Sequence, residues 1–479
     1  MLALVSVVFY SVLVALLFSL AVFIHEFGHF IAARLLGLRA DVFSIGFGPA
    51  LWKKQIGRTV YKICAIPFGG YVSLPQLDPS GMKTIQGGTD SGDADQQLEE
   101  VAPWKKIVVA FAGPFGNVVL ATVIAFAIYF APSGSIGGAG TVVGGVLPDS
   151  GAYNSGLRSG DKIESVNGVN VESWSELQIE SMLSGDRDEA EVCVLDAAGV
   201  SKRLSIPLST NNLFGVKMIS GIYPCATCVV SNVFDGGVAQ NAGIEVGDRI
   251  IGANGNRVLG LAHFTSVVAE NGEKQMSLEL ERAGKKLTVS LSPRLDSESG
   301  KYLIGVLLQN EHLAVQSWMR HRNPWRQLKG DAQSVFRVLQ ALIAPRQTGE
   351  RKAVAEQIGG PVTIISGLYR SMRSSFWDAW GFLRMICINL AILNLFPLPV
   401  LDGGHIVFSI YEIVARRKAH PRLVSALTNT FAILLIGLML LLVYRDVILQ
   451  SKLAKAFRER QQRSERVVAP SADSSSDKR

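Results

Sequence analysis

Four stretches of the chain carry no charged residue for long enough to cross an apolar layer, and they frame the reading of everything between them. A helix rises about 1.5 Å per residue, so a hydrocarbon core of about 30 Å needs about 20 apolar residues. Residues 2–24, 107–131, 385–401 and 423–444 meet or approach that length. The pattern predicts four transmembrane helices. Residues 2–24 sit where a signal peptide would. No basic segment precedes them and no small-residue cleavage site follows, and the run leads directly into His25-Glu26-Phe27-Gly28-His29, so a retained span is expected.

Between the second and third spans the pattern changes to short alternating runs. Residues 146–168 align without gaps to residues 233–255, with Gly156, Gly160, Asp161, Ile163, Asn167 and Gly168 each repeated. Two copies of one small fold are implied. Each copy reads as a strand, a short helix of small residues, a Gly-Asp turn and a second strand ending in Asn-Gly, a strong hairpin signal. After the copies, Trp318, Trp325, Leu328, Val335, Val338, Leu339 and Leu342 recur among basic residues. This suits an amphipathic helix, lying at a membrane interface or packed on the second copy. Beyond Arg466 the tail is rich in Ser, Asp and Lys and is expected to be disordered.

Composition narrows the class. Hydrophobic residues make up 48% of the 479, yet 18% are charged, which fits neither a disordered chain nor an ordinary soluble enzyme. The net charge of +7 is densest over residues 445–466, and no nucleic-acid motif accompanies it. It reads as attraction to a lipid bilayer, with no nucleic-acid partner. Arg34, Arg39, Lys53, Lys54, Arg58, Lys62, Lys105 and Lys106 follow the first span, and Arg416, Arg417, Lys418 and Arg422 lie between the third and fourth. The positive-inside rule puts these loops in the cytoplasm, and the two copies with both termini on the other side. Five cysteines are too few for a disulfide framework. The close pair Cys225 and Cys228 is read as a short disulfide in an oxidising compartment or as two coincidental thiols.

Candidate chemistry begins at His25-Glu26-Phe27-Gly28-His29. On a helix, positions i and i+4 share a face, so His25 and His29 both reach one metal ion while Glu26 meets a water beside it. Ionisable groups abutting an apolar span are expensive there and point to function. A catalytic zinc needs a third protein ligand. Asp402 is the leading candidate, with His405 three residues on as its competitor. Asp402 follows Pro397 and Pro399, which break a regular helix, and irregular backbone at membrane depth is tolerated only where it is buried in protein or lines a wet cavity.

Taken together, His25 to His29, the runs FSIGFGP (43–49), IPFGGYV (66–72), GPFGN (113–117) and NLFPLPVLDGGH (394–405), and the tandem copies resemble the site-two protease family, closest to its bacterial intramembrane zinc metalloproteases with tandem PDZ domains. The expected fold class is a multi-pass α-helical membrane protein of four transmembrane helices, with a membrane-associated β-loop and two α+β PDZ-like domains. The expected organisation is a first transmembrane helix over 1–38, the β-loop over 39–104, and a second helix over 105–132. PDZ-like domains follow over 133–220 and 221–310, then an interfacial helical segment over 311–374. The third helix covers 375–403, a turn and fourth helix 404–446, and a basic tail 447–479.

The resemblance implies a Zn(2+) cofactor on His25, His29 and Asp402, Glu26 as general base, and Asn394, Pro397 and Pro399 in substrate binding or oxyanion stabilisation. It also implies that the β-loop clamps an unwound substrate by edge pairing, and that peptide ends dock on the PDZ-like domains. The implied substrates are transmembrane segments of proteins such as anti-sigma factors or remnant signal peptides. The implied location is the bacterial inner membrane, with the PDZ-like domains periplasmic and the active site near the cytoplasmic face. The competing classes are a catalytically inactive membrane PDZ scaffold or chaperone, against which the intact Glu26 argues, and a metal transporter, which would need ionisable residues along a path that the other spans lack.

Overall fold

The computed structural model describes residues 2–77, 100–131, 140–184, 187–210, 217–296, 300–310, 323–346 and 349–468. Trp318 and most of the tail expected to be disordered lie outside them. In chain order, α1 (Leu2–Leu35), β1 (Val42–Ile56), β2 (Thr59–Ser73) and α2 (Pro103–Tyr129) come first. The first copy of the repeat contributes β3 (Val143–Val146), α3 (Gly151–Asn154), β4 (Lys162–Val166), β5 (Val169–Asn170), α4 (Trp174–Met182), β6 (Glu189–Leu195), β7 (Ser201–Pro207), β8 (Ser209–Thr210), β9 (Lys217–Met218) and β10 (Ile222–Pro224). The second contributes β11 (Cys228–Val233), α5 (Val238–Asn241), β12 (Arg249–Ala253), β13 (Asn256–Arg257), α6 (Leu261–Asn271), β14 (Met276–Arg282), β15 (Lys285–Leu291), β16 (Arg294–Leu295), β17 (Tyr302–Leu303) and β18 (Val306–Asn310). Helices α7 (Pro324–Ile343), α8 (Glu350–Gln357), α9 (Pro361–Ser374), α10 (Phe376–Asn394), α11 (Asp402–Ala415) and α12 (Pro421–Val468) complete the chain.

The chain divides into two compact units. One joins Met1–Ile136, His321–Val338 and Gly359–Asp446, and the other Gly137–Arg320, Leu339–Ile358 and Val447–Arg479. Four helical stretches among the described residues are long and apolar enough to cross a membrane: Val5–Leu35, Pro103–Tyr129, Phe376–Asn394 and Pro421–Ser451, the last passing the end of the first unit by five residues. The third begins within a residue of the expected helix over 375–403 but differs from the uncharged window of 385–401. It starts earlier because Asp378 and Arg384, charges that end an uncharged window, are buried inside the helix. It ends at Asn394 because the Pro397 and Pro399 backbone cannot continue it.

Arg384 is wholly buried, and its partners come from α7. Its Nε donates to Asp331 Oδ2 at 2.7 Å, and Nη1 donates to Gln327 Oε1. The helix expected to be interfacial is therefore fastened to α10 along its Gln327–Asp331 face, with Trp325 edge-on to Phe126 of α2 at 6.1 Å. Asp446 of α12 caps α9. Its two carboxylate oxygens accept from Gly360 N (3.1 Å) and Thr363 N (2.8 Å), amides that a helix start leaves without an intrahelical partner. Residues 402–415, expected as part of a turn, form helix α11, too short to span but apolar enough to pack on α2. Lys106 Nζ of α2 holds Glu412 of α11 at 2.9 Å.

The second unit contains the two copies. In each, the strand after the Gly-Asp turn is central: the first sheet runs β5-β4-β6-β7 and the second β15-β14-β12-β11-β18. The repeated aspartate has one job in both. Asp161 accepts from Arg158 N and Asp248 from Glu245 N, each at 2.9 Å, which closes the turn. The repeated Asn-Gly pairs adopt positive φ at both positions, 50° and 78° at Asn167-Gly168 and 51° and 77° at Asn254-Gly255, as a tight hairpin turn requires. Each copy closes on itself: β10 returns to pair with β3, and β18 with β11, leaving β18 as an edge strand. Separate apolar cores lie around Leu157, Ile163 and Leu177 in one copy and Ile250, Phe264 and Leu278 in the other. All five cysteines are free thiols. Burial pushes the Cys228 thiol up to about 12 and raises Cys225, so both are poor nucleophiles at neutral pH.

The buried pair between α7 and α10 yields a stability prediction. Asp331→Leu alone strips the carboxylate from a buried guanidinium and should cost about 3–5 kcal/mol. Pairing it with Arg384→Met should recover most of that loss, read as the thermal midpoint in detergent.

Candidate metal centre

His25, Glu26 and His29 share one turn of α1 at its packed end. The imidazoles are buried, with 9% and 8% exposure, and meet edge to face with ring centroids 4.8 Å apart. This geometry depends on how closely α2 approaches. A Cβ on Gly113 would lie 2.2 Å from His29 Nε2, and one on Gly28 would lie 2.3 Å from the Ala112 carbonyl oxygen, so any larger residue at either place would push the helices apart. The GPFGN run, from which the sequence suggests wider access or close helix packing, serves close packing here. Pro114 lies inside a helix that continues to Tyr129.

Asp402 arrives by a different route. After α10 ends, the backbone turns through residues 395–401, with Leu398 N donating to Phe396 O (2.7 Å) and Leu401 N to Leu398 O (2.9 Å), and α11 starts at Asp402. Asp402 therefore opens a new helix and does not end the third span. Gly403 lets that start fold against the turn, since a Cβ there would fall 2.2 Å from the Phe396 carbonyl oxygen. Pro397 and Pro399 act one step back, in the turn that delivers the carboxylate.

The three side chains converge. His25 Nε2 lies 3.2 Å from Asp402 Oδ2, His29 Nε2 lies 3.4 Å from Asp402 Oδ1, and the two Nε2 atoms are 3.3 Å apart. Four ligands placed tetrahedrally at about 2.0 Å from a zinc ion are separated by about 3.3 Å; the two histidine nitrogens meet that spacing, each has a different Asp402 oxygen at a similar distance, and one atom from each residue lies within 4.8 Å of the others. Asp402 Oδ2 is buried and makes no hydrogen bond, the condition of an oxygen built to face a cation. Among the described residues, these three form the group of histidine, cysteine and acidic side chains able to share one ion. His405, the competing candidate, lines the same cavity but stands outside that group.

The surroundings hold the ligands in place. His29 Nδ1 donates to the Val109 carbonyl at 2.8 Å, which leaves Nε2 free to ligate. Asn394, the last residue of α10, brings its Nδ2 to 3.3 Å from His25 Nε2. Glu26 Oε2 accepts from Val72 N at 3.1 Å. A cavity of about 460 Å³ opens over the group, walled by His25, Glu26 and His29, by Gly70 to Leu74, and by Asn394, Leu401 and Asp402. Two contacts were not anticipated from the sequence. One is Val72, whose role depends on backbone direction. The other is Asn117 of α2, 3.3 Å from His25 Nδ1. A lone asparagine within an apolar run was the available signal for the second.

The β-hairpin places its edge at this cavity. Residues 42–45 of β1 pair on one side with 60–63 and on the other with 70–73, so the segment Gly70 to Ser73 is the outer strand. Ser73 bonds inward, its carbonyl accepting from Asp41 N, and by alternation Val72 presents its amide outward, to Glu26.

Comparisons with known proteins identify the family. The family model described as Peptidase family M50 matches residues 13–438. A protein of Neisseria meningitidis named as a zinc metalloprotease is 29% identical over 451 residues, covering 90% of this chain and 97% of its own length. The regulator of sigma-E protease RseP of Escherichia coli is 27% identical over 449 residues, covering 88% and 95%. That of Salmonella typhimurium is 28% identical over 472 residues, covering 91% and 98%. Among solved structures, a PDZ domain of a Listeria monocytogenes protein covers 17% of this chain and 85% of its own at 19% identity, with a TM-score of 0.16, too slight a likeness to carry an argument.

The ligand group predicts a metal stoichiometry. Purified protein should carry about one zinc per chain by elemental analysis, and His29→Ala or Asp402→Ala should carry less than about a tenth of that.

Proposed function

The chain belongs to peptidase family M50 and is an intramembrane zinc metalloendopeptidase, and we propose that His25, His29 and Asp402 hold its zinc while Glu26 serves as general base for hydrolysis within transmembrane segments. The observation that carries these roles is the convergence of His25, His29 and Asp402, with one ligand atom from each within 4.8 Å of the others and the Glu26 carboxylate in the same cavity. A bound zinc ion supplies Lewis-acid polarisation of the scissile carbonyl and of the attacking water. Glu26 takes a proton from that water and returns it to the leaving amine nitrogen. Asn394 Nδ2 is the side-chain donor nearest the ligand group from α10, placed to hold the carbonyl oxygen as it gains charge.

A membrane helix hides its peptide bonds in its own hydrogen bonds, so cleavage requires a stretch of extended chain whose backbone groups are satisfied elsewhere. The outer strand Gly70 to Ser73 is suited to that, because its free side faces the cavity. Its Val72 amide is held by Glu26. A substrate strand pairing there takes that amide over and leaves the carboxylate free for water. Substrate alignment and availability of the base are thus one event.

The inner membrane is the location that the four helices and the relatives support. The charge distribution further supports loops 30–106 and 402–422 on the cytoplasmic side, and with them the two α+β copies in the periplasm. There the edge strand β18 suits docking of an extended peptide end. Anti-sigma factors and remnant signal peptides are the substrate classes in keeping with the relatives named as regulators of sigma-E protease. An inactive scaffold has no use for a carboxylate kept beside three metal-ligating side chains.

Reconstituted with a model transmembrane peptide, the protein should cleave it, lose activity to a chelator and regain it with zinc. Glu26→Gln should abolish cleavage while still binding zinc; cleavage by that variant would overturn the assignment of the base. Val72→Pro removes an outward-facing amide without touching the inner ladder, as proline does at sheet edges, and should lower kcat/KM for the membrane peptide about tenfold at unchanged zinc content.

A further inference from the structure

Asn117 is completely buried, on the face of α2 that packs against α1, and its amide has one polar neighbour in reach: His25 Nδ1, 3.3 Å from its Nδ2. Its Oδ1 is buried with no hydrogen-bond partner. An orphaned amide oxygen inside an apolar helix pair costs about 1–3 kcal/mol, so its presence calls for a reason.

The reason lies in the far side of the imidazole. His25 turns Nε2 toward His29 and Asp402, which makes Nε2 the ligating nitrogen. A neutral imidazole carries its one hydrogen on the other nitrogen, so Nδ1 must be a donor and needs an acceptor. The two ends of a carboxamide are nearly the same size, and a half-turn about the Cβ–Cγ bond puts Oδ1 where Nδ2 now stands. That turn gives the orphaned oxygen a donor and the ring an acceptor. His29 is held in the same way, with the Val109 carbonyl accepting from its Nδ1. The two rings thus receive matching supports from one helix, a main-chain oxygen for His29 and a side-chain oxygen for His25.

We propose that Asn117 is the positioning residue for the metal centre: its Oδ1 accepts from His25 Nδ1, fixing the tautomer and the ring plane that present Nε2 to the ion. It touches neither ion nor substrate. The proposal rests on the reading of His25 as a zinc ligand, and the experiment separates the two. If the wild-type protein binds no zinc, the ligand reading fails. If it binds zinc and the variants below behave alike, only the role of Asn117 fails.

The test measures zinc affinity of the full-length protein in detergent by competition with a chromogenic chelator, the d–d spectrum after cobalt substitution, and the thermal midpoint without metal. Asn117→Leu has similar volume and no acceptor, and should weaken zinc about 10- to 100-fold and alter the cobalt spectrum. Asn117→Asp keeps an oxygen at the same place and should bind at least as tightly as wild type. A purely structural role would instead lower the metal-free midpoint in both and leave affinity unchanged. Wild-type affinity in Asn117→Leu, or equal weakening in Asn117→Asp, overturns the proposal. Should Asn117→Leu not fold, Asn117→Asp decides alone: tight binding supports the role, and a tenfold or greater loss overturns it.

Discussion

Two imidazoles and a carboxylate are brought within 3.4 Å of one another inside a bundle of apolar helices, and the rest of the membrane unit is arranged to make that tolerable. Buried polar groups cost free energy unless each finds a partner, and a carboxylate costs most. The answer is geometric. Helix α2 approaches α1 closely enough, over Gly28 and Gly113, that its own backbone and side chains reach the rings from behind. The broken segment after α10 then lets a new helix begin with Asp402 at its first turn, where the backbone amides favour negative charge.

The same logic governs the charges away from the site. Arg384 is buried in α10 because Asp331 and Gln327 meet it from α7, and Asp446 is buried in α12 because two amides at the start of α9 need an acceptor. Each of these pairings joins segments distant in sequence. They tie α7 to the third span and α9 to the fourth.

What could be read in the sequence follows from the range of the interactions involved. The histidine pair, the Asn-Gly turns and the Gly-Asp turns are local patterns, and each fixes its own geometry within a few residues. The repeat revealed two copies because it duplicates such local patterns. Asp402 was legible because proline and glycine around it mark irregular backbone. The uncharged window of 385–401 opened later than α10, although the expected third helix over 375–403 covers its start, because a charge inside a helix and a charge ending it look the same until the partner is known, and Arg384 finds its partner 53 residues away. Helix α11 was missed because its 14 residues cannot span a membrane, and length was the criterion. Asn117 stood within a quoted motif, yet its contact with His25, 92 residues distant, depends on the rotation of one helix against another.

The hydrogen bond from Val72 to Glu26 has two sides. A half-buried carboxylate needs a donor in the resting protein, and an outward amide on an edge strand is an unsatisfied donor that invites another chain. Each therefore settles the other until a third party arrives. In the proposed pairing, an extended backbone lying along Gly70 to Ser73 replaces the carboxylate as acceptor in register with the strand, whereas the interior of a folded membrane helix keeps its carbonyls in its own hydrogen bonds. On that proposal, selection of unwound chain follows from the rule that buried backbone groups must be paired, before any side-chain preference acts.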